Sequence, residues 1–124
     1  MAWSNITNVA VGASAQGTAI GTGRANTTAI INQVGHTASA AKVCADYTVT
    51  VNSVTYDDWF LPSKDELNKL YINRVAIVGF ASAYYWSSSE ISATNAWSQS
   101  FATGIPDGGA KKGYSGRVRA VRAF

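Results

Sequence analysis

Asp58-Trp59-Phe60-Leu61-Pro62-Ser63-Lys64-Asp65-Glu66-Leu67 is the most informative segment of this 124-residue chain. Ser63 has the short hydroxyl side chain that caps a helix, and Glu66 follows three residues later, so the pair makes a capping box. Asp65 and Glu66 fall in the first helical turn, where the helix dipole favours negative charge. Leu67, Leu70 and Tyr71 then recur at helical spacing and predict the buried face of a helix over 64–73. The two acids read as helix-start residues, not as a pair of catalytic carboxylates.

Upstream, residues 3–24 are small, polar and broken by Gly12, Gly17, Gly21 and Gly23, which predicts loop with one or two short strands. Asn26–Val34 reads as a short helix capped by Asn26 or Thr27, with Ile30, Ile31 and Val34 on one face and Gly35 as its stop. Ala38–Tyr47 reads as a second helix, with Ala40, Val43, Cys44 and Tyr47 on its buried stripe. Cys44 there is a small packing residue. Thr48–Tyr56 alternates and is β-branched, which predicts a hairpin or irregular strand.

Downstream of the capping box, 83–90 is strand-like and 95–101 alternates. Trp97, Gln99 and Phe101 face one way, and Ala96, Ser98, Ser100 and Ala102 the other. Residues 104–116 form a glycine-rich loop holding Pro106 and Asp107. Residues 117–124 form a final strand with Arg117, Arg119 and Arg122, expected to join one antiparallel sheet. Helices followed by a meander of short strands make an α+β fold, a single domain over 1–124.

Composition excludes several functions. Lys and Arg total 10 against 7 Asp and Glu, a net charge of +3, and only 14% of residues are charged. The surface is instead rich in Ser, Thr, Asn and Gly, so its contacts run through hydroxyls and amides more than charge. With 47% apolar residues and 11% aromatics, the chain is too hydrophobic to be disordered. It has no apolar run of the roughly 18 residues that mark a transmembrane helix. No basic-then-apolar leader opens it, which argues against secretion by that route or for a chain cut from a longer protein. One cysteine excludes an internal disulfide framework or a cysteine zinc site, and one histidine excludes multi-histidine metal sites. His36 sits between Gly35 and Thr37 and reads as a turn histidine, not a triad member. Gly21-Thr22-Gly23 lacks the third glycine of a phosphate loop. No basic stripe with interleaved aromatics points to nucleic acid. These absences make the chain a poor candidate for an enzyme, and the expectation is no catalytic activity, no cofactor and no metal.

Four segments follow one another in a familiar order: 58–67, Tyr85-Trp86-Ser87-Ser88-Ser89-Glu90, Ala96-Trp97-Ser98-Gln99-Ser100-Phe101 and Val118-Arg119-Ala120-Val121-Arg122-Ala123-Phe124. Together with Ile20-Gly21-Thr22-Gly23 and Ala25–Ile30 they resemble the C-terminal domain of bacterial collagen-like surface adhesins. The same set is similar to the variable proteins of diversity-generating retroelements, within the formylglycine-generating-enzyme and lectin-like superfamily. The resemblance implies a C-type-lectin-like fold, with short helices flanking a small twisted antiparallel sheet, and a binding module. It does not carry over formylglycine generation, which needs reactive cysteines where this chain has only Cys44. Ile105-Pro106-Asp107 is a poor echo of the calcium-binding motif of animal lectins.

On that resemblance Trp59, Leu61, Trp86, Trp97, Phe101, Val118 and Phe124 are framework, and Arg119 and Arg122 pair with Glu90, Asp57 or Asp58. The ligand-binding, variable surface is expected at Ser92, Thr94, Asn95, Ser98, Ser100, Thr103, Ile105, Asp107 and Tyr114, converging on one exposed face. Such a surface would take a protein or glycan ligand on a cell or host surface, with neither nucleic acid nor membrane insertion, and leaves oligomerisation open. It places the protein at a bacterial surface or on a virion. The alternative is an adhesin head that binds sulfated polysaccharide through Lys111, Lys112, Arg117 and neighbouring basic residues.

Overall fold

The computed structural model describes residues 1–122. The capping box forms as the sequence dictates. Ser63 N donates to Glu66 Oε1 at 2.8 Å and Glu66 N donates to Ser63 Oγ at 3.4 Å, which starts α3 (Lys64–Ile72). Glu66 does more than cap. It is buried, and its Oε2 accepts the Gly21 N–H at 2.8 Å, so one carboxylate joins the glycine loop to the helix start. A Cβ on Gly23 would overlap Glu66 Oε1 and lie 2.9 Å from the Leu61 carbonyl, so only glycine fits there.

Gly23 also opens α1 (Gly23–Ile31), earlier than the sequence suggests. Asn26 and Thr27 are not its caps. Both are buried inside the helix with tertiary partners. Asn26 bonds both backbone groups of Gly17, and Thr27 Oγ1 accepts the Leu61 N–H at 3.0 Å. Val34 lies beyond the helix end and is 96% exposed, so it contributes nothing to the buried face. In α2 (Ala40–Asp46), capped by Ser39, the buried stripe is Ala40, Ala41 and Cys44. Val43 and Tyr47, expected on that stripe, face solvent. The expected hairpin is present as β1 (Val49–Val51) and β2 (Val54–Tyr56). Asn52 and Ser53 turn it with φ of 50° and 66°, the positive values a two-residue hairpin turn favours. A short α4 (Arg74–Ile77) follows α3.

The larger sheet has the order β3-β4-β5, built from β3 (Tyr84–Glu90), β4 (Ala96–Ser100) and β5 (Pro106–Asp107), all antiparallel. The alternation of β4 holds. Trp97, Gln99 and Phe101 meet α3. Lys64 Nζ lies 4.8 Å above the Trp97 ring, Gln99 Nε2 donates to Asn68 Oδ1 at 2.9 Å, and Phe101 packs edge-on to Tyr71 at 5.4 Å. Phe60, Leu67, Leu70, Tyr85, Phe101 and Val121 form the core on that side. A second core, around Trp3, Ile30, Leu61 and Trp86, joins α1 and α2 to the sheet. Trp3 is fully buried there and donates its indole N–H to the Ser87 carbonyl at 2.8 Å.

Over its described part, 117–122, the expected final strand does not form. Arg117 makes one parallel bridge with Tyr85, and Val121 makes one antiparallel bridge with Phe60. The intervening chain spans two cores, with Val118 packed on the first and Val121 buried in the second, so it cannot follow a single strand partner. Ala123 and Phe124 lie outside the described residues. Of the remaining framework residues, Leu61, Trp86 and Phe101 are buried, while Trp59, Trp97 and Val118 are only half buried.

Candidate functional site

β3, β4 and β5 bring Trp86, Ser98 and Asp107 side by side on the sheet. Ser98 is directly paired with Trp86 on one flank and with Asp107 on the other. Directly opposed residues project from the same face. That is the face turned away from α3. Over it, Tyr84, Ala110, Tyr114, Ser115 and Gly116 complete a cavity of about 230 Å³. Gly116 lies flat on the floor, since a Cβ there would fall 2.7 Å from Trp86 Nε1. The indole N–H itself donates to the Met1 carbonyl at 3.0 Å, which fixes the ring. Tyr84 and Tyr114 are largely exposed.

Three of the nine expected binding residues, Ser98, Asp107 and Tyr114, therefore line one cavity. The other six do not line it. Ser92, Thr94 and Asn95 lie in the turn before β4, and Thr103 and Ile105 in the turn after it. These two groups sit at opposite ends of the strand. Several have local tasks that hold the backbone. Ser92 Oγ accepts the N–H groups of Thr94 and Asn95, and Ser100 Oγ those of Ala102 and Thr103. Asn95 Nδ2 donates to the Gly108 carbonyl at 3.2 Å.

Exposure is where the expectation fails. Ser98 and Ser100 are 5% and 6% exposed, so neither is a displayed side chain. The loop expected to extend the surface folds back over it instead, because Lys112 N donates to the Thr94 carbonyl and Ala96 N to the Ala110 carbonyl. Ser98 Oγ is left buried with no hydrogen-bond partner.

Lys112 is responsible for that fold-back, and sequence reasoning misplaced it. Its ammonium and the Glu90 carboxylate are both fully buried, 2.7 Å apart. Nζ also reaches the Val9 carbonyl and lies 4.9 Å above the Trp3 ring. The rest of Glu90 is equally occupied: Oε2 accepts the Val11 N–H, and Oε1 accepts Gly12 N–H and Gln16 Nε2. Burial pushes the Glu90 carboxyl up, but the bonds from Lys112, Gly12, Val11 and Gln16 outweigh it and hold it below its ordinary value. Lys112 is therefore withdrawn from any polysaccharide-binding set; Lys111 and Arg117 remain exposed. A lysine next to Lys111 in a glycine-rich loop carries no sequence signal of burial.

Arg122 does pair with Asp58, through Nε to Oδ1 at 2.5 Å and Nη2 to Oδ2 at 3.1 Å. The guanidinium holds the Asp58 carboxyl below the usual carboxylate range. Among the described residues Arg119 meets no acid. It stacks on the Phe80 ring at 4.5 Å and reaches the Val78 carbonyl.

A second cleft, of about 420 Å³, lies between α2 and residues 118–120, with Tyr47 and Trp59 packed edge-to-face at 5.0 Å. Cys44 borders it but is buried, and burial pushes its thiol up to about 12. His36 is engaged with Ser39 Oγ at 2.8 Å; burial, then Lys42, lowers its pKa. Among the described residues no three His, Cys, Asp or Glu side chains come together as a metal site. No helix among them is long and apolar enough to cross a membrane.

A family model described as the Lcl C-terminal domain matches residues 2–122. No curated protein matches the chain. The family match is consistent with a lectin-like, ligand-binding module. With helices and small antiparallel sheets arranged as described, the chain belongs to the Lcl C-terminal domain family and has its C-type-lectin-like fold.

Proposed function

We propose that this domain is a non-catalytic module that binds a protein or glycan ligand on a cell or host surface, and that its ligand seats on the β3-β4-β5 face. The observation that carries the reading is the cavity shared by Ser98, Asp107 and Tyr114. Its floor is fixed: Trp86 is buried and hydrogen-bonded, so the site exists before a ligand arrives. Its rim is different. Tyr84 and Tyr114 offer large rings and free hydroxyls at low cost in side-chain freedom. The exposed turn residues Thr103 and Ile105 extend the rim beyond one end of β4.

A fixed floor with a substitutable rim suits a surface that a retroelement diversifies. On this reading Ile105 and Tyr114 tolerate change, whereas Ser92, Asn95, Ser100, Thr103 and Asp107 each bond a nearby backbone group and are held to their residue type. The binding experiment compares cell-surface binding of the wild-type domain with Tyr114→Ala and Asp107→Ala, each checked for folding by thermal denaturation. Loss of binding by both folded variants is expected. Unchanged binding would remove the cavity from the ligand site. For diversification, sequencing across natural copies of the gene should place variation at the rim codons, next to a reverse transcriptase gene and a near-copy of the last third.

A further inference from the structure

The side-chain charge of the cavity is opposite to that of the chain, although the Met1 ammonium bonds two lining residues, at Ser115 Oγ (3.2 Å) and the Gly116 carbonyl (2.8 Å). The protein carries a net charge of +3, yet the one charged side chain lining the cavity is Asp107. Asp107 Oδ1 accepts the Gly109 N–H at 2.8 Å. Among the described residues Oδ2 has no hydrogen-bond partner, and the carboxylate makes no ion pair. Ser98 stands opposite Asp107 in the strand register, and its buried Oγ also lacks a partner. Three aromatic side chains, Tyr84, Trp86 and Tyr114, line the same space. Aromatic faces attract cations, and a free carboxylate oxygen among them suits a charged donor.

We infer that this cavity binds a primary ammonium group, presented by a lysine side chain of a partner protein or by a small alkylamine. The inference rests on reading the cavity as the ligand site and adds the chemical class of its occupant. A space of about 230 Å³ is of the size that seats a single side chain. A neutral hydroxyl could bond Asp107 but would leave its charge uncompensated between the rings. A bidentate guanidinium would have to share Oδ1 with the Gly109 N–H, whereas an ammonium, a compact point charge, needs only Oδ2. A compact ammonium can donate to the free Oδ2 and keep a further donor for a tyrosine hydroxyl of the rim.

The experiment is an NMR titration of the isotope-labelled domain at low salt. The probes are n-butylamine, Nα-acetyl-lysine methylamide, the same compound acetylated at Nε, and methyl glucoside. Both amines should produce saturable shifts at the Trp86 indole and at the Ser98 and Asp107 amides, and the Nε-acetylated compound none. Asp107→Asn keeps an acceptor for Gly109 and should weaken amine binding about tenfold, since a charge-assisted bond becomes a neutral one. Tighter binding of the lysine derivative than of butylamine indicates a protein lysine; equal binding indicates a free amine. The absence of saturable shifts with either amine overturns the inference, as does unchanged affinity in Asp107→Asn. If methyl glucoside alone shifts these resonances, the ammonium is wrong and the cavity still binds ligand. If no probe binds and Tyr114→Ala binds cells normally, both readings fall together.

Discussion

Two buried polar regions of this domain differ in how far they are satisfied. At Glu90 both carboxylate oxygens are engaged by Lys112, Val11, Gly12 and Gln16. At Ser98, some strand positions away on the same sheet, a buried hydroxyl has no partner. A polar group removed from water is costly unless hydrogen-bonded. The first region therefore behaves as framework, tying the loop after Trp3, the end of β3 and the loop around Lys112. The second is a polar group that the fold buries and leaves unsatisfied. Buried polarity alone distinguishes nothing here; completeness of its bonding does.

The comparison can be broken most sharply at Lys112. Lys112→Met leaves the Glu90 carboxylate buried without its counter-ion, and removing one partner of a buried pair costs about 3–5 kcal/mol. Urea denaturation should show a loss of that size. A loss as small as that of a surface lysine would mean that water reaches Glu90 and the framework reading is wrong.

A pH titration sharpens the same region. The folded Glu90 carboxyl lies below its ordinary value of 4.5, so the folded state favours the ionised form. Stability from this group is fully present above pH 4.5 and is lost as pH falls through the lower folded value. Denaturation midpoints measured downward from pH 6 should decline for the wild type. In Glu90→Gln the part of that decline due to this group should be absent.

The smallest expected effect is at Ser98. Ser98→Ala removes a hydroxyl that has no partner, so stability should stay within about 0.5 kcal/mol of the wild type or rise slightly. A loss above about 2 kcal/mol would reveal a hydrogen bond in the folded state and erase the contrast with Glu90.

Parts of the fold were legible because their causes are local. Ser63 and Glu66 are three residues apart, and the bonds between them need no other segment. The hairpin turn at Asn52 and Ser53 and the alternation of Trp97, Gln99 and Phe101 are local in the same sense. The site was legible only in part. Ser98 and Asp107 were drawn to the same surface, and the strand register does set them side by side. Their burial is not legible in the sequence, because alternation tells which residues share a face but not which face another segment will cover. Here both faces are covered, one by α3 and the other by the chain around Ala110–Gly116.

The chain's own order of residues was enough to determine an α+β domain with a capped central helix, a hairpin and a strand pair, since propensity, capping and period act over a few residues. Packing decided the rest. Lys112 and Glu90 are 22 positions apart, and Val11 and Glu90 are 79 apart. No local rule connects groups at such separations. A lysine in a glycine-rich loop is buried only because the folded chain brings a carboxylate to it, and Ser98 is sealed only because that same pairing folds the loop back across the sheet. Coulomb attraction and desolvation depend on distance in space, and that distance exists only once the tertiary structure has formed.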